Sequence, residues 1–331
     1  METKRKNMNA PTNKIPIVMI CDRNFVMQTC AALASLRLNK KDTTAYEVFV
    51  IVADCDSESA SLLEKTSCAD FSVRVIDTTL DKYKDIKQLA HVPLASLLKF
   101  DICELIPQYD KLLYLDGDMI IRQDLSELYQ TELADNYVAG VAHSLGVLTG
   151  EKKLNGGVLL FNASKIRQEA LREVFVRTRQ SLGNRKSMDQ ETFHIVFGEK
   201  KVYLPPKYNV MLDKLDYEKK YYSIKDYNNF FHTAYKSRRE ILDTAAIIHF
   251  TGGIKPWNYR FAKCGDEWRR YYKAVFGDDS ELHLKGRMEF YREQFKKSGW
   301  KGIYWHIKDQ VLALLGECFH IFPDKSHGEW N

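Results

Sequence analysis

Lys111–Gln123, KLLYLDGDMIIRQ, constrains this chain more than any other stretch. Two carboxylates, Asp116 and Asp118, flank one glycine between the apolar runs Leu112–Leu115 and Met119–Ile121. Unbroken apolar runs are expected of strands buried on both faces, so the segment belongs inside a layered α/β sheet. Paired carboxylates there can hold a divalent metal. An Asp-Gly hairpin turn, with both aspartates facing solvent, is the competing reading; the lack of alternation in the flanks argues against it. A calcium loop counted from Asp116 fails, because Ile121 stands where that loop turns on glycine and Ile120 where it needs an oxygen ligand. Metal-dependent phosphotransfer chemistry remains an alternative use of the pair.

The rest of the chain supplies the layers. Ile15–Cys21 reads as a buried strand, Asp22-Arg23-Asn24 as its polar end, and Phe25–Leu36 as a helix. Strands Tyr46–Val52 and Phe71–Ile76, with a helix near Ser57–Thr66, repeat the alternation. This indicates a mostly parallel, doubly wound α/β sheet. Ligands bind at the carboxyl ends of such strands, which makes Asp22 and Asn24 candidates for a nucleotide base or ribose, with an ordinary helix N-cap as the alternative. No GxGxxG is present, so a dinucleotide fold has no support. His91 and Lys99, before and within an apolar helix around Leu94–Leu105, can face phosphate or another anion, with an ordinary loop histidine and a solvated lysine as the alternatives. Short elements follow at Leu125–Tyr129 (helix) and Tyr137–Val141 (strand). Asn155-Gly156-Gly157 opens the strand Val158–Asn162, and glycines there admit a ligand close to the backbone. A helix is expected over Ala163–Ser181, and another begins near Ser187–Glu191, where Asp189 or Gln190 can reach a substrate hydroxyl or simply cap the helix. Lys214–Arg239 shows no regular pattern. Strand Ala246–Phe250 runs into HFTGGIKPW, where His249, Gly252 and Lys255 make a metal-and-phosphate corner without P-loop spacing.

Bulk properties exclude several classes. The 331 residues, 45% of them hydrophobic, suffice for one large domain, or for one domain plus an appendage. Lys and Arg number 49 against 44 Asp and Glu, a net charge of +5 that makes no case for nucleic acid. The seven cysteines are scattered without a CxxC pair. They suit free buried thiols in a reducing compartment rather than disulfides or zinc. METKRKNMNAPTNK reads as a polar tail rather than a signal peptide, and no stretch is apolar enough to span a bilayer. The C-terminal part changes character. Arg287–Lys301 is basic and aromatic, and Ile303, Ile307, Val311, Leu315 and Phe319 line one helical stripe. That pairing suits an anionic membrane surface; a helix docked on the core or on another subunit is the alternative.

Five segments in order, ICDRNF, YLDGDMI, LNGGVLLFN, MDQETF and HFTGGIKPW, resemble the family 8 glycosyltransferases over about Ile15 to Trp257. That family includes bacterial lipopolysaccharide galactosyl- and glucosyltransferases and glycogenin. The resemblance implies a GT-A fold, a UDP-sugar donor and Mn²⁺ or Mg²⁺. By position, Asp116, Asp118 and His249 match metal ligands, and Asp22 and Asn24 match contacts to the uridine. Gly252, Lys255 and His91 match approaches to the diphosphate. Asn155, Asp189 and Gln190 match positions around the donor sugar, with Gln190 nearest the anomeric carbon. Lys99 stands where the family usually has arginine, which keeps the charge but loses the bidentate fork.

The expectation is thus a polar tail (1–14), a GT-A catalytic domain (15–265) and a basic, amphipathic helical region (266–331). The expected reaction is retaining, metal-dependent transfer of galactose or glucose from a UDP-hexose. The acceptor would be a glycan, such as a lipid-linked lipopolysaccharide or lipooligosaccharide core. The expected location is cytoplasmic, peripheral on the inner face of the membrane. A metal-dependent phosphohydrolase using Asp116 and Asp118, or an inactive nucleotide-sugar-binding module, stands as the alternative.

Overall fold

The computed structural model describes residues 14–86, 94–183, 188–215, 222–300, 304 and 307. Ten named strands follow in chain order: β1 (Ile15–Asp22), β2 (Tyr46–Ala53), β3 (Phe71–Thr78), β4 (Lys111–Leu115), β5 (Met119–Ile121), β6 (Val138–Ala142), β7 (Leu154–Asn162), β8 (Lys201–Tyr203), β9 (Val210–Met211) and β10 (Ile247–His249). Seven form one sheet in the order β3-β2-β1-β4-β7-β6-β8, and three form a second, β5-β10-β9. The first four strands of the large sheet run parallel; β7 enters antiparallel to β4 and to β6, and β8 lies parallel to β6. This is the mostly parallel α/β sheet expected.

Alternate faces of the large sheet fill two apolar layers. Ile17, Met19, Leu113 and Leu115 pack on one side, and Val18, Tyr114, Leu159 and Phe161 on the other. Because both faces are covered, β4 and β5 read as continuous apolar runs. The hairpin reading of Asp-Gly fails: β4 and β5 belong to different sheets. Gly117 is there for a different reason. A Cβ on it would stand 2.7 Å from Thr29 Oγ1 and 3.3 Å from the Phe25 ring, so only glycine lets the chain pass this close to helix Val26–Leu38.

That helix is buried between the two sheets. Cys30, Leu33 and Leu36 face the large sheet, while Ala31 and Ala34 face the cluster around β10 and Trp268. Its small residues admit helix Gly265–Phe276 on the same side. The backbone of β5 is satisfied from the first helix. Ser35 Oγ accepts from Ile121 N at 2.9 Å, and Asn39 Nδ2 donates to Ile121 O at 2.8 Å and to Tyr271 Oη at 2.7 Å. Arg122 extends the strap, donating from Nε to Glu267 Oε1 at 2.8 Å and from Nη1 to Leu242 O at 2.6 Å.

Several local expectations need correction. The helix expected over Ala163–Ser181 is two, Ala163–Gln168 and Leu171–Leu182, broken where Ala170 turns left-handed at φ 50°. The break lets both Ile166 and Phe175 reach the same apolar layer. The stretch Leu94–Leu105 is a 3-10 helix, Leu94–Phe100, followed by one α-turn, Ile102–Leu105. The Asn155–Gly157 triplet lies inside β7 rather than before it. The patternless Lys214–Arg239 region contains helix Ile224–Phe231, started by a Ser223/Asp226 capping box, and leads into helix Arg238–Asp243, capped by Ser237. Six cysteines are free in the described residues; Cys21, Cys30 and Cys103 are buried, but Cys68 is exposed. Residues 287–300 are helical, and the stripe beyond lies outside the described residues except for Ile307. No described helix is long and apolar enough to cross a membrane.

Candidate active site

The acidic pair sits where the two sheets meet. Asp116 N donates to Gly157 O at 2.9 Å, which ties it to β7 and the large sheet. Asp118 leads into β5, which pairs antiparallel with β10 so that His249 stands opposite Met119. Phe250 N donates to Asp118 O at 2.9 Å and closes the corner. His249 Nε2 therefore lies 3.1 Å from Asp118 Oδ1 and 3.7 Å from Asp116 Oδ2. One ligand atom from each of the three lies within 4.8 Å of the others.

The surroundings of His249 decide its tautomer. Asn155 Oδ1 accepts from Gly157 N at 2.9 Å and from Asn209 Nδ2 at 2.8 Å. That fixes the Asn209 amide so that its Oδ1 faces His249 Nδ1 at 2.9 Å, and Nδ1 carries the proton in the neutral ring. The lone pair of Nε2 is left pointing at both carboxylates. Two carboxylates and an imidazole held in this tautomer by a buried amide fit a divalent cation such as Mn²⁺ or Mg²⁺. Replacing Asn209 with leucine is expected to weaken Mn²⁺ affinity about tenfold to a hundredfold, measured by metal titration, while the fold persists.

Lys99 ends buried beside this cluster. Its Nζ donates to Asp189 Oδ2 at 2.6 Å and Gly156 O at 3.0 Å, lies 3.3 Å from Asp116 Oδ1, and stands over the Tyr114 ring at 4.8 Å. Three acceptors meet the three donors of the ammonium. Burial works against its charge, yet Asp116 and Asp189 hold its pKa above the ordinary lysine value. Tyr114 Oη donates to Asp116 Oδ1 at 2.5 Å. Removing one partner of the buried Lys99–Asp189 ion pair would cost about 3–5 kcal/mol. Burial alone would raise the Asp118 carboxyl, but His249, when its ring carries both protons, and then Lys255 hold it well below the usual range. Lys255 Nζ lies 2.7 Å from Asp118 Oδ2 and also donates to Phe250 O.

The positions named from sequence fall into three groups. Asp116, Asp118, His249, Lys255, Lys99, Asn155 and Asp189 are joined by contacts into one network. Gln190 is adjacent: a Cβ on Gly156 would stand 3.0 Å from its Cγ. Asp22 and Asn24 lie at the carboxyl end of β1, beside β4; Asp22 Oδ1 accepts from Asn24 N at 2.9 Å, so it caps the 3-10 turn Arg23–Phe25. Gly252, left-handed at φ 81°, packs against Asp213, which accepts from Thr251 Oγ1. His91 lies outside the described residues. The loops that carry these groups are linked by an edge-to-face contact of Phe25 with Trp257 at 5.4 Å.

Sequence reasoning missed Asn209, Tyr114, Asp213 and His143. The first two touch His249 and Asp116 directly. His143, at the end of β6, is pushed down to about 4 by burial and by Lys214, so it is neutral at pH 7. Only Tyr114, two residues before Asp116 on the same strand, could have been picked out locally.

Comparison with known proteins bears on the family and the fold. Residues 16–260 match the model of glycosyl transferase family 8. The chain belongs to glycosyl transferase family 8. Among its family 8 relatives is the lipopolysaccharide 1,2-glucosyltransferase of Escherichia coli, 27% identical over 89% of this chain and 86% of that protein. Glycosyltransferase GlyD of Streptococcus pneumoniae serotype 4 is 25% identical over 81% of this chain, which spans only 32% of GlyD. The galactosyltransferase LgtC, solved with donor and acceptor sugar analogues, superposes with a TM-score of 0.63 over 78% of this chain and 96% of LgtC, at 22% identity. That likeness shows the GT-A fold. This family 8 chain carries a candidate Asp-Asp-His metal site.

Proposed function

We propose that this protein is a retaining, metal-dependent hexosyltransferase that moves galactose or glucose from a UDP-sugar to a glycan acceptor. The observation that carries the reading is the Asp116–Asp118–His249 cluster with Lys255 and Lys99 on either side of it. In this reading the three ligands hold Mn²⁺ or Mg²⁺. A bound ion would supply Lewis-acid charge stabilisation to a diphosphate leaving group.

The chain's own residues do the rest. Lys255 and the backbone N–H groups of Gly252 and Gly253 face the diphosphate, where His91 also belongs by its family position, and Asp22 and Asn24 receive the nucleotide end. Asn155, Asp189 and Gln190 orient the hexose. Lys99 acts through its contacts, holding Asp116 and Asp189 at fixed separation. Retention by double displacement would require a free carboxylate nucleophile. Gln190 is an amide, and Asp189 is bound to Lys99 at 2.6 Å. Both facts support same-face attack by the acceptor hydroxyl, with the departing phosphate taking the proton. Trapping a glycosyl-Asp189 adduct would overturn this route.

The test of the reading is UDP release from a panel of UDP-sugars with Mn²⁺. One UDP-hexose is expected to turn over, with activity falling to background in EDTA and returning with added Mn²⁺. Hydrolysis of simple phosphate esters without UDP-sugar turnover would replace the reading with the phosphohydrolase.

The proposed acceptor is a lipid-linked core oligosaccharide, met at the inner face of the cytoplasmic membrane. The lipopolysaccharide-directed relative supports this, and so does helix 287–300. Phe290 packs against Tyr259 and Phe261, while Met288, Phe295 and Trp300 are 68%, 43% and 74% exposed beside Arg292, Lys296 and Lys297. Deleting Arg287–Asn331 is expected to abolish co-sedimentation with phosphatidylglycerol vesicles; unchanged sedimentation would remove the membrane from the proposal.

A further inference from the structure

The reacting edge of the large sheet continues well past the metal cluster. Tyr114 pairs with Leu159, Leu159 with Gly140, and Gly140 with Tyr203, so one row of residues crosses β4, β7, β6 and β8 in register. Directly paired residues share a sheet face. Tyr203 therefore lies on the face that carries Tyr114, at the edge where β4 and β6 end and β7 begins. Three strand spacings put it about 14 Å along that edge from the strand bearing Asp116, a distance that a short oligosaccharide spans.

Tyr203 is 39% exposed and held in place, because its Oη donates to Lys152 O at 2.7 Å. Lys152 stands three residues before Asn155. Its Nζ lies 5.7 Å from the centroid of Tyr203 and 5.5 Å from that of Phe230, and 3.4 Å from His232 Nε2. His232 is exposed at the left-handed end of helix Ile224–Phe231. Phe230 in turn is seated against Gly146, where a Cβ would come within 2.5 Å of the ring. The neighbouring Lys153 is neutralised by Glu151 at 3.1 Å and Glu191 at 3.2 Å. Among the described residues, no carboxylate pairs with Lys152. The result is an uncompensated cation between two aromatic rings, at the edge and on the face used by the catalytic strand.

We propose that Lys152, Tyr203 and His232 form an acceptor subsite for a sugar that carries an anionic group, phosphate or carboxylate, several units from the reacting hydroxyl. This rests on the glycosyltransferase reading. The pyranose ring lies against Tyr203, and the anion pairs with Lys152, whose ammonium is steadied by donating to His232 Nε2. The ring contact provides affinity for any sugar; the unpaired ammonium provides preference for a charged one.

The test is binding of the full-length protein, with UDP and Mn²⁺ present, to an array of phosphorylated, uronic-acid-containing and neutral oligosaccharides. UDP affinity is measured in parallel by calorimetry. The wild type is expected to retain anionic members above their neutral counterparts, and the phosphorylated and uronic arms tell which anion is read. Lys152→Glu is expected to lower that binding at least about tenfold; Lys152→Gln should lower it less, and Tyr203→Leu about fivefold. UDP affinity and melting temperature should be unchanged in all three. Equal retention of neutral and anionic glycans, unaltered binding in Lys152→Glu, or no glycan retained while UDP binds would each overturn the subsite. Absence of UDP binding in the wild type would overturn the glycosyltransferase reading, and the subsite with it.

Discussion

Asp118→Ala is expected to reduce UDP release from the preferred UDP-sugar by about a thousandfold or more. Its Oδ1 lies 3.1 Å from His249 Nε2 and its Oδ2 2.7 Å from Lys255 Nζ, so one substitution removes a proposed metal ligand and frees the lysine from its partner. Asp118 lies at the cleft rather than in the apolar layers, and β5 keeps its pairing with β10 without the carboxylate. The variant should therefore melt cooperatively near the wild-type temperature while losing the rise that Mn²⁺ gives the wild type. Wild-type turnover in this variant would exclude Asp118 from the reaction.

A second large effect is expected from a single methyl group. Gly157→Ala would place Cβ 2.4 Å from His249 Cε1 and 2.9 Å from Asp116 Oδ2. Neither neighbour has room to give way. His249 is fixed through Nδ1 by Asn209, and Asp116 is fixed by Tyr114 and by its own N–H to Gly157 O. The methyl group must push one of the three proposed metal ligands away from the other two. Loss of at least about a hundredfold in activity is expected, with Mn²⁺ affinity falling in parallel when titrated directly. Gly156→Ala is the informative companion. Its Cβ would meet Asp189 Oδ2 at 2.9 Å and Gln190 Cγ at 3.0 Å, so it should impair turnover while leaving Mn²⁺ binding intact. If both variants lost metal affinity equally, the assignment of separate metal and sugar ends would be wrong.

Much of this site was legible in the chain, and the parts that were not share a physical cause. The unbroken apolar flanks of Asp116 and Asp118 report burial on both faces, a local property, and β4 and β5 are buried throughout except for Lys111. His249 announces itself at the end of an apolar run followed by a glycine turn. Asn209 carries no such mark. It is a polar residue before a two-residue strand, and only the approach of β9 to β10 and β7 gives its amide a role. Lys99 was legible as a charge near the site, but nothing local says that three acceptors would enclose it. The break at Ala170 is equally silent, since alanine favours a continuous helix and only the packing of Ile166 and Phe175 requires the turn. The helix at Ile224–Phe231 is a different case. Its Ser223/Asp226 capping box was present in the letters, hidden by the tyrosines and asparagines around it.

The glycine between the two aspartates marks the seam where the chain leaves one sheet for the other. Asp116 is anchored to the seven-stranded sheet, and Asp118 and His249 to the three-stranded one. A cation held by all three is therefore a rivet between two separately built layers. Its affinity includes the work of keeping those layers in register, and by mass action its binding returns that work as resistance to unfolding. Contacts far from any ligand atom, such as the Asn39–Tyr271 bond or the Arg122–Glu267 strap, would thereby become part of the proposed metal site. Substitutions there would loosen the grip on the ion without touching a residue that binds it.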